Sequence, residues 1–184
     1  MKDINAIRLS GSIFWSKLDD RQTFSLLRLG IGLEERGGVF AVVNNPSEKS
    51  YESIKPGNKV VLTNAWLDIW EKQDGSSELQ IKVNGNGVVF FPKEKVISGI
   101  NEVTILGTVK ELKDNMATIE MVGDRSPKTG KFAIRSTIIN IGEEYTEKII
   151  GNKILLKGEI SSVEDDNKKS HLIINADYST INIL

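Results

Sequence analysis

The sequence reads as an all-β protein built from two tandem five-stranded Greek-key barrels. Three observations carry that reading. Apolar and polar residues alternate in short runs, the period-two pattern of half-buried strands. The tetrad Gly-Asn-Lys-aliphatic occurs at Gly57–Val60 and again at Gly151–Ile154, 94 positions on, in a chain of 184 residues. A repeat of that length is a duplicated domain, because solenoid units run roughly 20–50 residues. Finally, a glycine interrupts the first strand of each half, Gly11 and Gly107, where a barrel strand turns a corner.

The elements follow in order. Ile7 to Ile13 alternates and forms the first strand, with Phe14 and Trp15 after it and a polar turn from Ser16 to Arg21. Thr23 to Leu33 is the second strand, apolar apart from Arg28. Glu34 to Gly38 is a turn, and Val39 to Asn44 is the third strand, ended by Asn45-Pro46. Pro46 to Lys55 is polar with room for one short helix. Asn58 to Trp70 is the fourth strand, Asp74-Gly75 a hairpin tip, and Glu78 to Phe91 the fifth strand, bent at Gly85 or Gly87. Residues 93–100 are the linker between a first domain, 1–92, and a second, 101–184.

The second half restarts the programme. Its strands are Val103 to Val109, Asn115 to Val122, Lys131 to Ile141, Asn152 to Val163 and His171 to Leu184. Phe132-Ala133 echoes Phe40-Ala41, and Glu143 to Ile150 is the polar connection. Five strands, a glycine within the first, and a longer connection between third and fourth describe an OB-fold. Such barrels bind oligonucleotides or oligosaccharides on one face.

Composition narrows the function. The net charge is −1, which argues against a purely electrostatic nucleic-acid binder. A local basic groove remains open, because the field of a cleft depends on where charges sit. No cysteine and one histidine, His171, remove thiol chemistry, Cys-zinc sites and most His-based metal sites and triads. Asp19-Asp20 and Asp165-Asp166 read as turn chemistry. The lone Gly85-Asn86-Gly87 has no helix after it and is no phosphate loop. Neither an enzyme nor a cofactor is expected. The chain has no apolar run of membrane-spanning length and opens on charged residues, so a cytoplasmic place is expected.

At Asn5 to Gly11 and at Gly151-Asn152-Lys153-Ile154-Leu155-Leu156-Lys157-Gly158 the chain resembles the bacterial single-stranded DNA-binding protein family. In the first half Asn64 replaces the second glycine of that pattern. The resemblance implies a stacking aromatic on the hairpin after the fourth strand, and Trp70 with Gln73-Asp74-Gly75 is similar. It also implies stacking aromatics on the third strand, where Phe40 stands. Three features depart from the family. The chain reads as two domains in place of one, Asn182-Ile183-Leu184 reads as strand so that recruitment of partners by an acidic tail is not expected, and Glu164-Asp165-Asp166 stands where the first half has Trp70-Glu71-Lys72.

All three tryptophans and five of six phenylalanines precede the linker, which assigns binding to the first half and support or dimerisation to the second. Bases stack on aromatic faces regardless of sequence, at about 1–3 kcal/mol each. The expected stacking residues are Trp70, Phe40, Phe14 and Trp15, with one of the adjacent pair Phe14-Trp15 lining the groove. Phe40 fits core and site equally well. Trp66 has outward strand parity with Asn64 and Asp68, yet its counterpart by the repeat, Ile160, lies on an apolar row; the repeat makes it core. Phe24 and Phe90 are expected in the core. Arg28 must face outward, since a barrel interior would not accept it unpaired. Arg36, Lys17, Arg21 and Lys72 flank the groove as candidate phosphate contacts, and Lys128, Lys131 and Arg135 are their second-half counterparts. The expected function is sequence-independent binding of single-stranded DNA in replication or recombination, by a homodimer. A protein-docking scaffold and an RNA-binding OB protein are the alternatives.

Overall fold

The structure, a computed structural model, describes residues 3–19, 23–30, 39–71, 73, 77–125, 130, 132–143, 145, 147–164 and 170–184. Its first-half strands are β1 (Ile4–Leu18), β2 (Phe24–Gly30), β3 (Val39–Asn44), β4 (Lys59–Glu71), β5 (Ser77–Asn84) and β6 (Val88–Phe91), with one helix, α1 (Glu48–Ser53), between β3 and β4. The second-half strands are β7 (Asn101–Lys113), β8 (Met116–Arg125), β9 (Phe132–Asn140), β10 (Lys153–Glu164), β11 (Ser170–Ala176) and β12 (Asn182–Ile183). No helix among the described residues is long and apolar enough to cross a membrane.

The strands of the first half close into a five-stranded barrel. β1 pairs β2, β2 pairs β3, β3 pairs β5 in parallel, β5 pairs β4, and β4 returns to β1. In the second half β7, β8, β9, β11 and β10 pair in the same order, and β10 returns to β7. The alternation explains the closure. On β2, Ser25, Leu27 and Leu29 point inward, and on β3 so do Val39, Ala41 and Val43. They meet Ile7, Leu9, Ile13, Val60, Leu62, Ile81 and Val83 in a core sealed from solvent.

Two repeated devices hold the closure. A Cβ built on Gly11 would meet the Gly30 carbonyl oxygen at 2.6 Å, and one on Gly107 the Glu120 oxygen at 2.6 Å. Only glycine lets the bent first strand lie that close to the second. The Gly-Asn-Lys tetrad does the complementary job at the other edge. Gly57 and Gly151 have φ of 92° and 86°, conformations L side chains rarely adopt. There the Gly57 N–H donates to the Ile13 oxygen and the Gly151 N–H to Val109, both at 2.8 Å. The Asn58 and Asn152 carbonyls accept back from the N–H groups of Ile13 and Val109.

The halves share a sheet. β1 and β7 run antiparallel from Ile4–Leu106 to Leu9–Asn101, with Ala6–Thr104 and Ile7–Val103 at the middle. Asn5 and Asn101 serve as matching clamps beside this seam. The Asn5 amide donates to the Leu67 oxygen (2.9 Å) and accepts from the Leu67 N–H (2.8 Å). Asn101 does the same to Ile160, at 2.7 and 2.8 Å. The side-chain amide thus continues the β1–β4 ladder past its last backbone pair, Ile7–Ala65.

Several sequence expectations are corrected. The first strand runs through Phe14 and Trp15 to Leu18, because a bulge between Ile13 and Trp15 absorbs the adjacent aromatics. The expected fifth strand, 78–91, breaks into β5, a 3₁₀ turn at Gly85–Gly87, and β6, which doubles back onto the start of β4. Trp66 is not core. Register shifts between Ile7/Leu9 on β1 and Ala65/Leu62 on β4, and Asn64 within that bulge has φ of 56°. Val60 and Leu62 point inward before it, Ala65 and Leu67 after it. The extra residue moves the inward parity by one. β10 has no such bulge against β7. Accordingly, Trp66 opposes Lys82 as Glu159 opposes Asn175, so its structural counterpart is Glu159 rather than Ile160.

Candidate functional site

With the odd-numbered residues of β2 and β3 in the core, the even-numbered ones form the outer face. Directly paired residues share a face, so cross-strand rows can be read from the register. One row is Lys17, Leu26, Val42, Lys82 and Trp66, across β1, β2, β3, β5 and β4. Its neighbour begins Trp15, Arg28, Phe40 and, one step along β5 and β4, continues with the pair Gln80–Asp68. Phe24 lies beside Asn44 on the far side, and Trp70 stands two residues beyond Asp68.

These rows frame an apolar groove of about 440 Å³, lined by Phe24, Leu26, Phe40, Val42, Asn44, Trp70, Gln80 and Lys82. Its three rings are open to solvent: Phe24 is 38% exposed, Phe40 37% and Trp70 48%. Exposed apolar surface of this kind marks a binding face more often than accident. Aromatic rings lining a groove offer stacking without hydrogen-bond readout.

Charge sits at the margins. The Arg28 guanidinium lies 5.9 Å from the Phe40 ring centroid, a cation–π arrangement. Lys82, inside the groove, is paired with Asp68 at 2.5 Å, with both side chains about a quarter exposed. That pair cancels one cation where an anion would lie. Lys17 is exposed at the β1 end of its row.

The structure brings Trp70 and Phe40 into the groove lining and puts Arg28, Trp15 and Lys17 on the same outer face. Phe14, the extra residue of the β1 bulge, is exposed and packs over Gly30, where a Cβ would approach its ring to 2.2 Å. It does not line the groove. Arg21, Arg36 and Lys72 lie outside the described residues, as do Lys128 and Lys131. Phe24, expected in the core, is a groove wall. The signal for it was present: it shares strand parity with Arg28, which has to face outward. Leu26, Val42 and Lys82 were missed because single apolar or basic residues on a strand carry no mark of a site.

The second half does not repeat this surface. Its registers place Glu159 where Trp66 is, Asn175 for Lys82, Asn140 for Val42 and Ile138 for Phe40. The expected match of Phe40 with Phe132 is therefore replaced by Ile138. Asn140 donates to Asn175 at 3.3 Å, and Asn175 donates to the Ser161 hydroxyl at 2.7 Å. A polar ladder stands in place of the aromatic groove. On β8 and β9 of this half, Val122, Phe132, Ile134 and Ile138 are exposed apolar residues.

No family model matches the chain, and no curated protein matches it. Among solved structures it is similar to a deletion mutant of the single-stranded DNA binding protein from Thermus aquaticus. The TM-score is 0.61 at 10% sequence identity, covering 100% of this chain and 95% of that one. The likeness establishes the fold: an all-β architecture with an OB-like five-stranded barrel.

Proposed function

We propose that this protein binds single-stranded DNA without sequence preference, in the groove of the first barrel, and protects the strand during replication or recombination. One observation carries the reading: three exposed aromatic side chains, Phe24, Phe40 and Trp70, line a single apolar groove, with the Arg28 guanidinium 5.9 Å from the Phe40 ring centroid. Planar bases match flat rings, and every base has a π-face, which accounts for binding without readout. The near-neutral net charge then matters little, since stacking supplies the affinity and a few cations guide the backbone. The fold-level likeness to a single-stranded DNA binding protein supports the same reading.

In this proposal residues 1–92 form the binding OB domain and 101–184 a second OB barrel in a supporting role. Trp70, Phe40 and Phe24 stack on bases. Arg28 and Lys17 contact phosphates, and Trp15 extends the stacking row toward β1. Titration with oligo-dT at low salt should quench tryptophan emission, and added salt should reverse the quench. Trp70→Ala should remove most of the signal. Absence of any quench or binding with the unaltered protein at low salt would defeat the proposal. A preference for oligo-rU over oligo-dT would redirect it to RNA, through contacts to the 2′-hydroxyl.

A docking or self-association role has one observation in its favour, the exposed row Phe132, Ile134 and Ile138 on β9, with Ile134 64% exposed. Light scattering at micromolar concentration tests it for the homodimer. A monomeric mass would remove that assembly.

A further inference from the structure

The groove row that runs Lys17, Leu26, Val42, Lys82, Trp66 does not stop at β4. β9 of the second half packs against β4. Its Arg135 places the guanidinium 5.1 Å from the centroid of the Trp66 ring. Trp66 faces outward only because of the Asn64 bulge, and its indole Nε1 is buried without an acceptor among the described residues. The indole is thus wedged in the seam, and Arg135 lies on it. Among the described residues no carboxylate pairs with Arg135, whereas Arg8, Lys82, Lys110 and Lys153 each have one.

We propose that Arg135 is a phosphate-binding residue that the second half supplies to the first half's groove, held ready by stacking on Trp66; this rests on the proposed binding of single-stranded DNA there. The physical grounds are threefold. A guanidinium already held over an aromatic ring, here 5.1 Å from its centroid, loses little further freedom on meeting an anion. The apolar groove is otherwise short of free positive charge, because Lys82 is held by Asp68. Arg28 over Phe40 and Arg135 over Trp66 then form matching brackets, one toward β2 and one beyond β4. A strand lying across the face would meet a stacked guanidinium on either side of its bases. The binding surface is incomplete without the second half, even though that half's own equivalent face is polar.

The test is the salt dependence of oligo-dT binding, followed by fluorescence anisotropy of a labelled oligonucleotide. Removing one cation that neutralises a phosphate of a single strand reduces the slope of log K against log salt by about 0.7. Arg135→Gln should reduce the slope by about that amount and weaken oligo-dT and oligo-dA alike. Arg135→Lys, which keeps the charge, should retain the slope. Trp70→Ala should weaken binding with the slope unchanged. A slope for Arg135→Gln equal to that of the unaltered protein would overturn the assignment while leaving the groove in place. So would an equal fall in slope for Arg135→Lys, which would make the role of Arg135 one of packing. Failure of the unaltered protein to bind at any salt would remove the proposed function and this inference with it.

Discussion

Phe40 offers the cleanest separation of folding from binding. The residue is 37% exposed on the outward side of β3, while its neighbours Val39 and Ala41 are sealed in the core. Truncating a core phenylalanine to alanine costs about 3–5 kcal/mol, because the cavity left behind cannot collapse. Phe40 borders an open groove, so its removal leaves a dent that water fills. Phe40→Ala should therefore lower stability by only about 1–2 kcal/mol, the common range for a substitution without a buried cavity. Binding should suffer separately. One base stack is worth about 1–3 kcal/mol, so its removal is roughly a 5- to 150-fold rise in Kd. Arg28 would also be deprived of the ring at 5.9 Å that steadies it, which pushes the effect toward the upper end. Urea unfolding and anisotropy with oligo-dT measure the two quantities on the same preparation. A stability loss above about 3 kcal/mol, the floor for a core phenylalanine, or unchanged affinity in a folded variant, would refute the reasoning.

Three further outcomes are expected. Asn5→Ala strips both partners from the backbone of buried Leu67, and each unsatisfied group costs about 1–3 kcal/mol, so the urea midpoint should fall by the equivalent of about 2–6 kcal/mol. Asn101→Ala should act equally at Ile160; a shift below about 0.5 kcal/mol in both would mean, on the same scale, that the amides are not structural. Gly57→Ala forces a Cβ onto a φ of 92° and should destabilise by about 1–2 kcal/mol, read as a lower thermal midpoint; an unchanged midpoint would show that the closure at Ile13 tolerates another geometry. Asp68→Asn releases Lys82 in the groove, so affinity for oligo-dT should rise at low salt and the salt slope should steepen by up to about 0.7; equal or weaker binding would show that Lys82 does not face the phosphates.

The strands were legible because their cause is local. Alternation at Ser25, Leu27, Leu29 and at Val39, Ala41, Val43 is written in neighbouring residues, and burial follows it. The glycine pairs Gly11/Gly107 and Gly57/Gly151 could be found as repeats, since each answers a backbone demand that no other residue meets cheaply. Trp70 could be singled out because a ring near a polar hairpin tip has no core to enter, whereas Phe40 was legible through the family resemblance and its parity alone left it open between core and site.

Trp66 shows where that method fails. Repeat alignment by residue count pairs it with Ile160, but one extra residue at Asn64 breaks the count. The bulge shows only in the register of β4 against β1, a strand more than fifty residues away in sequence. The chain alone therefore determined the all-β alternation, the duplicated turn chemistry and the concentration of rings in the first half. Tertiary structure alone decided which side Trp66 faces, that Phe24 joins the groove, and that Arg135 crosses the seam to lie on an indole. The reason is physical: a strand's inward parity is fixed by its partner's register, and no local preference of β4 encodes where β1 or β9 will lie.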